Sequence, residues 1–274
     1  MGIADLVPGV SGGTIALITG IYQRLINAIV AVNITSLKLL ISGKIKLAWQ
    51  QVDGWFLLAV FAGMLSAIFL LASLIKQLLT HHAVLTWSFF FGLILVSAFL
   101  LIQKNKDNSI INVLLLLTGV ALGYFLSTQS IGALPGGHIG VFLAGSIAIC
   151  AMILPGISGS LILILLGKYQ LILNAVETRD WLLLFIFTFG CLIGLLVFSR
   201  LLKWLLARHY KATIYTLAGL MLGTLFKVWP WKSGLQNTSP FTHSEPQLIP
   251  AMLLMALAGL FVWLLFKMGV NRDR

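Results

Sequence analysis

The sequence predicts an all-α polytopic membrane protein built as two inverted-topology repeats, each a Pro-Gly-broken re-entrant helix hairpin followed by three transmembrane helices. Three observations carry this. Apolar runs recur through a chain that is 59% hydrophobic and only 9% charged, against roughly 25% charged residues in soluble domains. A short stretch rich in Pro, Gly and Ser occurs twice, as LVPGVSGGTIALITGIYQRLINA near the start and ILPGISGSLILILLGKYQLILNA in the middle. The Lys and Arg residues also divide unequally between the two faces this arrangement creates.

The apolar runs are Trp55–Ile75, Val84–Ile102, Ile110–Ser127, Trp181–Ser199, Thr213–Phe226 and Leu248–Phe266. Crossing a bilayer as a helix takes about 20 residues. A membrane barrel would alternate apolar and polar residues, and these runs are continuously apolar. The net charge of +11 comes from Lys and Arg in short loops, with no basic run interleaved with aromatics, so no nucleic-acid partner is expected. Cys150 and Cys191 lie in apolar segments without metal-ligand spacing and read as small buried hydrophobes. The opening MGIADLVPG lacks the basic region and long apolar core of a signal peptide.

Laid over each other at an offset of 147, residues 8–28 and 155–175 agree at ten of 21 positions. Most of the matches are Pro, Gly or polar: Pro8/Pro155, Gly9/Gly156, Ser11/Ser158, Gly12/Gly159, Gly20/Gly167, Tyr22/Tyr169, Gln23/Gln170 and Asn27/Asn174. Apolar similarity alone does not produce that pattern. The register resumes at an offset of 127 with Gly63/Gly190, Lys76/Lys203, His82/His209, Thr86/Thr213, Gly92/Gly219 and Phe99/Phe226. The difference of 20 is an insertion in the first half, read over 33–51 as an amphipathic segment on the membrane surface carrying Lys38, Lys44 and Lys46. Residues 1–130 then form the first repeat and 131–274 the second, together one integral membrane domain. An apolar arm, HIGVFLAGSIAICAMI, leads into the second motif, whereas only seven residues precede Pro8. The matching arm is expected upstream of Met1.

If each motif enters and leaves on one side while each later run crosses, one face receives 13 of the Lys and Arg residues and the other receives five, namely Lys76, Lys168, Arg179, Lys227 and Lys232. The richer face is cytoplasmic by the positive-inside rule. A single crossing by residues 138–167 would give about 10 against 8, which selects no orientation. Three crossings per half place the two copies in opposite orientations, the plan of many secondary transporters.

Pro8-Gly9 and Pro155-Gly156 interrupt helix hydrogen bonding. Broken backbone at membrane depth survives only where protein or a wet cavity covers it. Beyond each break, small residues open a new helix whose unpaired N–H groups and dipole favour an anion. The candidate phosphate-binding set is therefore Gly9, Ser11, Gly12, Gly13 and Thr14 with Gly156, Ser158, Gly159 and Ser160. Tyr22, Gln23, Tyr169 and Gln170 support it. The competing reading is close helix packing by small residues, which accounts for Gly190-x-x-x-Gly194 and Gly219-x-x-x-Gly223. Asp5, whose repeat partner is Met152, either carries a proton or binds a cation, or is a helix cap or loop acid. Arg24 and Lys168 either attract an anion or reach for the interface.

GVSGG also fits the G-x-S-x-G nucleophile elbow, but that elbow needs a strand before it in an α/β sheet, and the second copy breaks the pattern at Ser160. His81, His82, His138, His209 and His243 show no metal or triad spacing. No enzyme, no metal and no cofactor is expected. Coupling to protons or sodium, and a homo-oligomer, stay open.

ADLVPGVSGGTIALITGIYQRLI closely resembles the start of the bacterial polyprenyl-phosphate (undecaprenyl-phosphate) translocase family of the PopT type, formerly a domain of unknown function, and ILPGISGSLILILLGKYQLI is similar to the same family. The resemblance implies return of undecaprenyl phosphate, the lipid carrier of cell-wall glycans, from the outer to the cytoplasmic leaflet of the bacterial inner membrane. Undecaprenyl phosphate and membrane lipids would then be the partners. The residues by themselves lead only to a two-sided anion site. An ion-coupled transporter of a small soluble anion, or a membrane scaffold without transport, are the alternatives they leave open.

Overall fold

The computed structural model describes residues 1–7, 10–107, 109–128, 134–234, 236–243 and 246–270. The first half runs through α1 (Gly2–Asp5), α2 (Gly12–Ile18), α3 (Tyr22–Val30), α4 (Ile34–Ile41), α5 (Ile45–Gln51), α6 (Gly54–His81), α7 (Ala83–Lys104) and α8 (Ile110–Thr128). The second runs through α9 (Gly137–Ile153), α10 (Gly159–Leu165), α11 (Tyr169–Glu177), α12 (Trp181–Arg208), α13 (Tyr210–Thr224) and α14 (Leu248–Val270). A 3-10 turn, Leu225–Val228, and a two-stranded antiparallel ribbon, β1 (Lys232–Ser233) with β2 (Gln236–Asn237), separate the last two helices.

Both offsets of the duplication reappear in the element boundaries. α2 and α10 are seven residues each, and α3 and α11 nine. α6 and α12 are 28 residues each. The hinges after them, His82 and His209, share φ −133° with ψ 46° and 50°. α2 meets α3 at 115° and α10 meets α11 at 110°, so each motif is a sharply bent pair. Five helices, α6, α7, α8, α12 and α14, are long and apolar enough to cross a membrane, and the chain is a multi-pass membrane protein.

The run Thr213–Phe226 lies within α13 and the 3-10 turn that continues it, one helical stretch over 210–228. At about 1.5 Å per residue in the α part and about 2 Å in the 3-10 part, that stretch reaches about 30 Å, the thickness of a bilayer core. It tightens into the 3-10 turn ahead of Trp229 and Pro230, since the residue before a proline is steered out of helix. The amphipathic insertion over 33–51 forms two short helices, α4 and α5, between which Gly43 turns the chain at φ 72°. An Asn33–Ser36 capping box starts the first of them. Both carry exposed apolar faces, with Ile34, Leu37, Ile41 and Ile45 all outward.

The bundle is centred on α7, α13 and the bent pairs. Half of the α7 apolar window is buried against 11% for α6. Ile94 and Ala98 of α7, Ile214 and Met221 of α13, and Ala16, Ile26 and Ile157 of the motif regions form one contiguous core. α7 packs most extensively against α14, and α13 against α8, so each half lends its last helix to the other. The small-residue spacings do what was expected of them. Gly219 and Gly223 lie against Gly119 and Gly123 of α8, and Gly190 and Gly194 against Phe142 and Ser146 of α9.

The matched helices α7 and α13 lie side by side in opposite directions. Near the start of α7, Phe91 stacks edge-on with Trp229 just past α13, at 5.7 Å between centroids. Just past the end of α7, Asp107 pairs with Lys211 at 3.1 Å, and its amide donates to the Tyr215 hydroxyl at 3.0 Å.

Candidate functional site

The two motifs meet at the centre of the bundle. Pro8 and Gly9 lie outside the described residues. From Ser11 onward the first motif acts on the backbone of the second. α9 ends at Ile153, and Leu154 is extended (ψ 132°), as its position before Pro155 requires. Helix ends leave carbonyls without partners, and side chains of the first half supply them. The Ser11 hydroxyl lies 3.2 Å from the Met152 carbonyl and 3.1 Å from that of Leu154. The Tyr22 hydroxyl donates to the Ile153 carbonyl at 3.2 Å. Beyond Pro155, the Gly156 amide donates to the Thr14 hydroxyl at 2.9 Å. Gly156 adopts φ +88°, and a Cβ there would sit 2.8 Å from the Thr224 hydroxyl, so only glycine fits. Ser11, Thr14 and Tyr22 are all buried. They form a latch across more than 130 residues of sequence.

The start of α2 is already occupied. Asp5 Oδ1 accepts from the Gly12 amide at 2.7 Å, and Ser11 Oγ accepts from the Gly13 amide at 3.1 Å. A side chain at Gly12 would collide with the Asp5 carboxylate, and one at Gly13 with the Ile153 carbonyl. Asp5 is thus the anion that the helix start attracts. Its other oxygen, Oδ2, is buried without a hydrogen-bond partner.

The start of α10 differs. Ser158 has the same extended N-cap backbone as Ser11 but makes no side-chain cap. Its hydroxyl turns instead to Ser160, at 2.8 Å. Among the described residues no side chain accepts from the first-turn amides of α10. These groups open into a cleft of about 340 Å³, where Asp5, Ser158, Gly159 and Ser160 face Ile149, Met152, Leu163 and Phe187. A larger cleft of about 580 Å³ shares Asp5, Ile149 and Met152 and continues past Gly12 and Gly13 to α6. Its rim includes Leu58 and Phe61, which are 49% and 63% exposed on the outside of the bundle.

Arg24 and Lys168 do not face either motif tip. Arg24 pairs with Asp53, with nitrogen–oxygen distances of 2.6 and 3.0 Å, and lies over the Phe56 ring. Lys168 is buried and donates to the Pro135 carbonyl at 2.9 Å, where it pins the loop ahead of α9. Gln23 and Gln170 are exposed, and Tyr169 is half-buried. Among the described residues no group of three or more His, Cys, Asp or Glu side chains is placed to hold a metal.

The fold also gathers residues that spacing did not connect. His81, His82, Trp87, Lys227, Lys232 and His243 line one cavity of about 580 Å³ at the far end of α6. The only sequence signal for it was the presence of Lys227 and Lys232 on the Lys-poor face.

A family model described as VCA0040-like, undecaprenyl phosphate translocase-like, matches residues 1–245. The chain is 42% identical over 287 aligned residues to a polyprenyl-phosphate transporter of Vibrio cholerae serotype O1, covering 99% of this chain and 93% of that protein. It is 33% identical over 259 residues to a polyprenyl-phosphate transporter of Staphylococcus aureus, covering 84% and 83%. No solved structure is significantly similar to it. These matches are to transporters, not enzymes. With a doubled Pro-Gly-Ser motif at the heart of a multi-pass bundle, the chain belongs to the undecaprenyl phosphate translocase-like family.

Proposed function

We propose that this protein carries polyprenyl phosphate, with undecaprenyl phosphate as its substrate, from the outer to the cytoplasmic leaflet of the bacterial inner membrane, returning the carrier for cell-wall glycan synthesis. The names of its relatives support the substrate class. One structural observation favours an amphiphile over a soluble anion: the hydroxyls and uncapped amides at the start of α10 sit in an otherwise apolar cleft, which joins a second apolar cleft reaching the outside of the bundle. A phosphate monoester carries between one and two negative charges near neutral pH. Ser158, Gly159 and Ser160 offer it donors while its chain stays in lipid.

Alternating access is the mechanism this reading favours. Two halves run in opposite senses, as the antiparallel α7 and α13 support, and rocking one against the other would expose the tip to each leaflet in turn. Asp5 supplies the coupling. Asp5, whose Oδ2 is buried without a partner, lines the cleft that Ser158 and Ser160 line, and a second anion beside a carboxylate is tolerated when the carboxylate takes up a proton. Proton binding at Oδ2 therefore accompanies substrate binding.

The test is reconstitution into vesicles with a leaflet-specific assay for undecaprenyl phosphate. The expected result is net movement between leaflets dependent on the protein and insensitive to excess inorganic phosphate. Uptake of inorganic phosphate without lipid movement would favour the soluble-anion reading instead. Cysteine labelling in intact cells checks the topology, with positions 44 and 208 expected on the cytoplasmic face together.

A further inference from the structure

We propose that the cavity at the junction of α6 and α7 is a second phosphate-binding site, which receives the phosphate monoester head of the lipid at the outer face before it reaches the motifs, with Lys232 as its cation. The inference rests on the transport reading above and adds a loading site to it. The cavity holds about 580 Å³ and lies between His81 and His82 at the turn, Trp87 on α7, and Lys227, Lys232 and Asn237. Its lining mixes polar and apolar groups, unlike the apolar clefts that lead to the motifs.

Lys232 is built into this cavity. Its ammonium sits 3.9 Å from the centroid of the Trp87 ring, and one N–H donates to the Lys227 carbonyl at 2.6 Å. The ring face and the carbonyl fix the cation in place. The remaining N–H groups have no acceptor among the described residues, and no described carboxylate lines the cavity. Burial, with Lys227 nearby, pushes the Lys232 pKa down to about 8. A cation held in a half-buried cavity with no carboxylate beside it among the described residues is stabilised by a bound anion, and a phosphate oxygen is a strong acceptor for it. The place suits a lipid head. Trp87, Trp229 and Trp231 cluster at this end of the bundle, and such rings favour the level of the head groups. At the opposite end of the α7–α13 pair a smaller cavity of about 120 Å³ contains Tyr22, Gln23, Lys104 and Tyr210. The outer cavity is therefore the larger of the two.

Binding of farnesyl phosphate, farnesol and inorganic phosphate to the purified full-length chain in detergent tests this. Wild type should bind farnesyl phosphate, and Lys232→Gln should weaken it by about tenfold or more, the scale of one charge-assisted contact. Lys232→Arg should stay within about threefold of wild type. Lys227→Gln, whose side chain makes no hydrogen bond in the structure, should weaken binding by about threefold and serves if Lys232→Gln does not fold. As pH rises through about 8, Lys232 loses its charge and wild-type binding should fall. Lys227, His81, His82 and His243 face the same cavity, so the comparison is with Lys232→Arg, which should not lose binding over that range. Wild-type binding by Lys232→Gln overturns the site, and so does equal binding of farnesol. Inorganic phosphate binding as tightly as farnesyl phosphate overturns the lipid as its source. In vesicles, lipid movement by wild type and Lys232→Gln at one rate overturns the loading site and leaves the transport reading standing. Inert wild-type vesicles with Lys232-dependent phosphate binding intact overturn the transport reading and keep the cavity as a phosphate site.

Discussion

At the start of α2 the first-turn amides are taken, Gly12 by Asp5 and Gly13 by Ser11, whereas at the start of α10 no described side chain takes them. The two stretches share Ser-Gly at the same register. What separates them includes an acid at 5 against a methionine at 152, and Gly13-Thr14 against Ser160-Leu161. The first tip carries its own anion, and its hydroxyls close the broken end of α9. The second keeps its hydroxyls on an open cleft. On the proposed reading a duplicated motif has divided into a latch and a receptor, because hydroxyls engaged with the backbone of α9 are not free for a substrate.

A second contrast follows the helices beside the motifs. Gly190 on α12 is pressed against Phe142 of α9, while its counterpart Gly63 on α6 has nothing within 4 Å. The larger apolar cleft lies along another face of α6, past Leu57, Leu58, Phe61 and Met64.

The comparison breaks most severely at Gly156. Gly156→Val meets both a positive φ and the Thr224 hydroxyl, and should cost about 3 kcal/mol or more, read as loss of folded protein in detergent. Met152→Asp gives the second tip an anion of its own. It should fold, because the uncapped amides of α10 can donate to the carboxylate, while phosphate-lipid binding falls by about tenfold or more. Ser11→Ala removes a cap and leaves carbonyls of α9 unpaired, at about 1–3 kcal/mol of stability. Thermal unfolding should show that loss while the folded fraction still binds lipid. Asp5→Asn is the mildest. The amide oxygen still accepts from Gly12, so stability should hardly change, while the pH dependence of transport flattens. An unchanged pH profile would make Asp5 a cap and nothing more.

Much of this was legible in the sequence, for identifiable reasons. Pro, Gly and polar identities at fixed offsets report a duplication that apolar positions would blur, and α6 and α12 begin and end in that register. Asp5 stood out as the acid without a partner in the second copy. The latch was not legible, because Ser11, Thr14 and Tyr22 act on backbone groups more than 130 residues away, and a carbonyl leaves no trace in a side-chain pattern. Arg24 found Asp53 through the fold of the insertion. The cavity around Lys232 joins the α6–α7 turn to the ribbon about 150 residues later, a distance that no local spacing bridges. The end of the stretch formed by α13 and its 3-10 turn was legible, since Trp229-Pro230 marks where a helix would have to stop.

The division into latch and receptor is tested most directly by measuring lipid movement and thermal unfolding together for two variants, Ser158→Ala/Ser160→Ala and Ser11→Ala, reconstituted in the same vesicles. The account predicts that the paired change at α10 leaves the unfolding temperature within a degree or two of wild type and slows transfer of undecaprenyl phosphate by about tenfold. Ser11→Ala should lower the unfolding temperature and spare transfer per folded molecule. Transfer at the wild-type rate by Ser158→Ala/Ser160→Ala, or its loss in a fully stable Ser11→Ala, would contradict it.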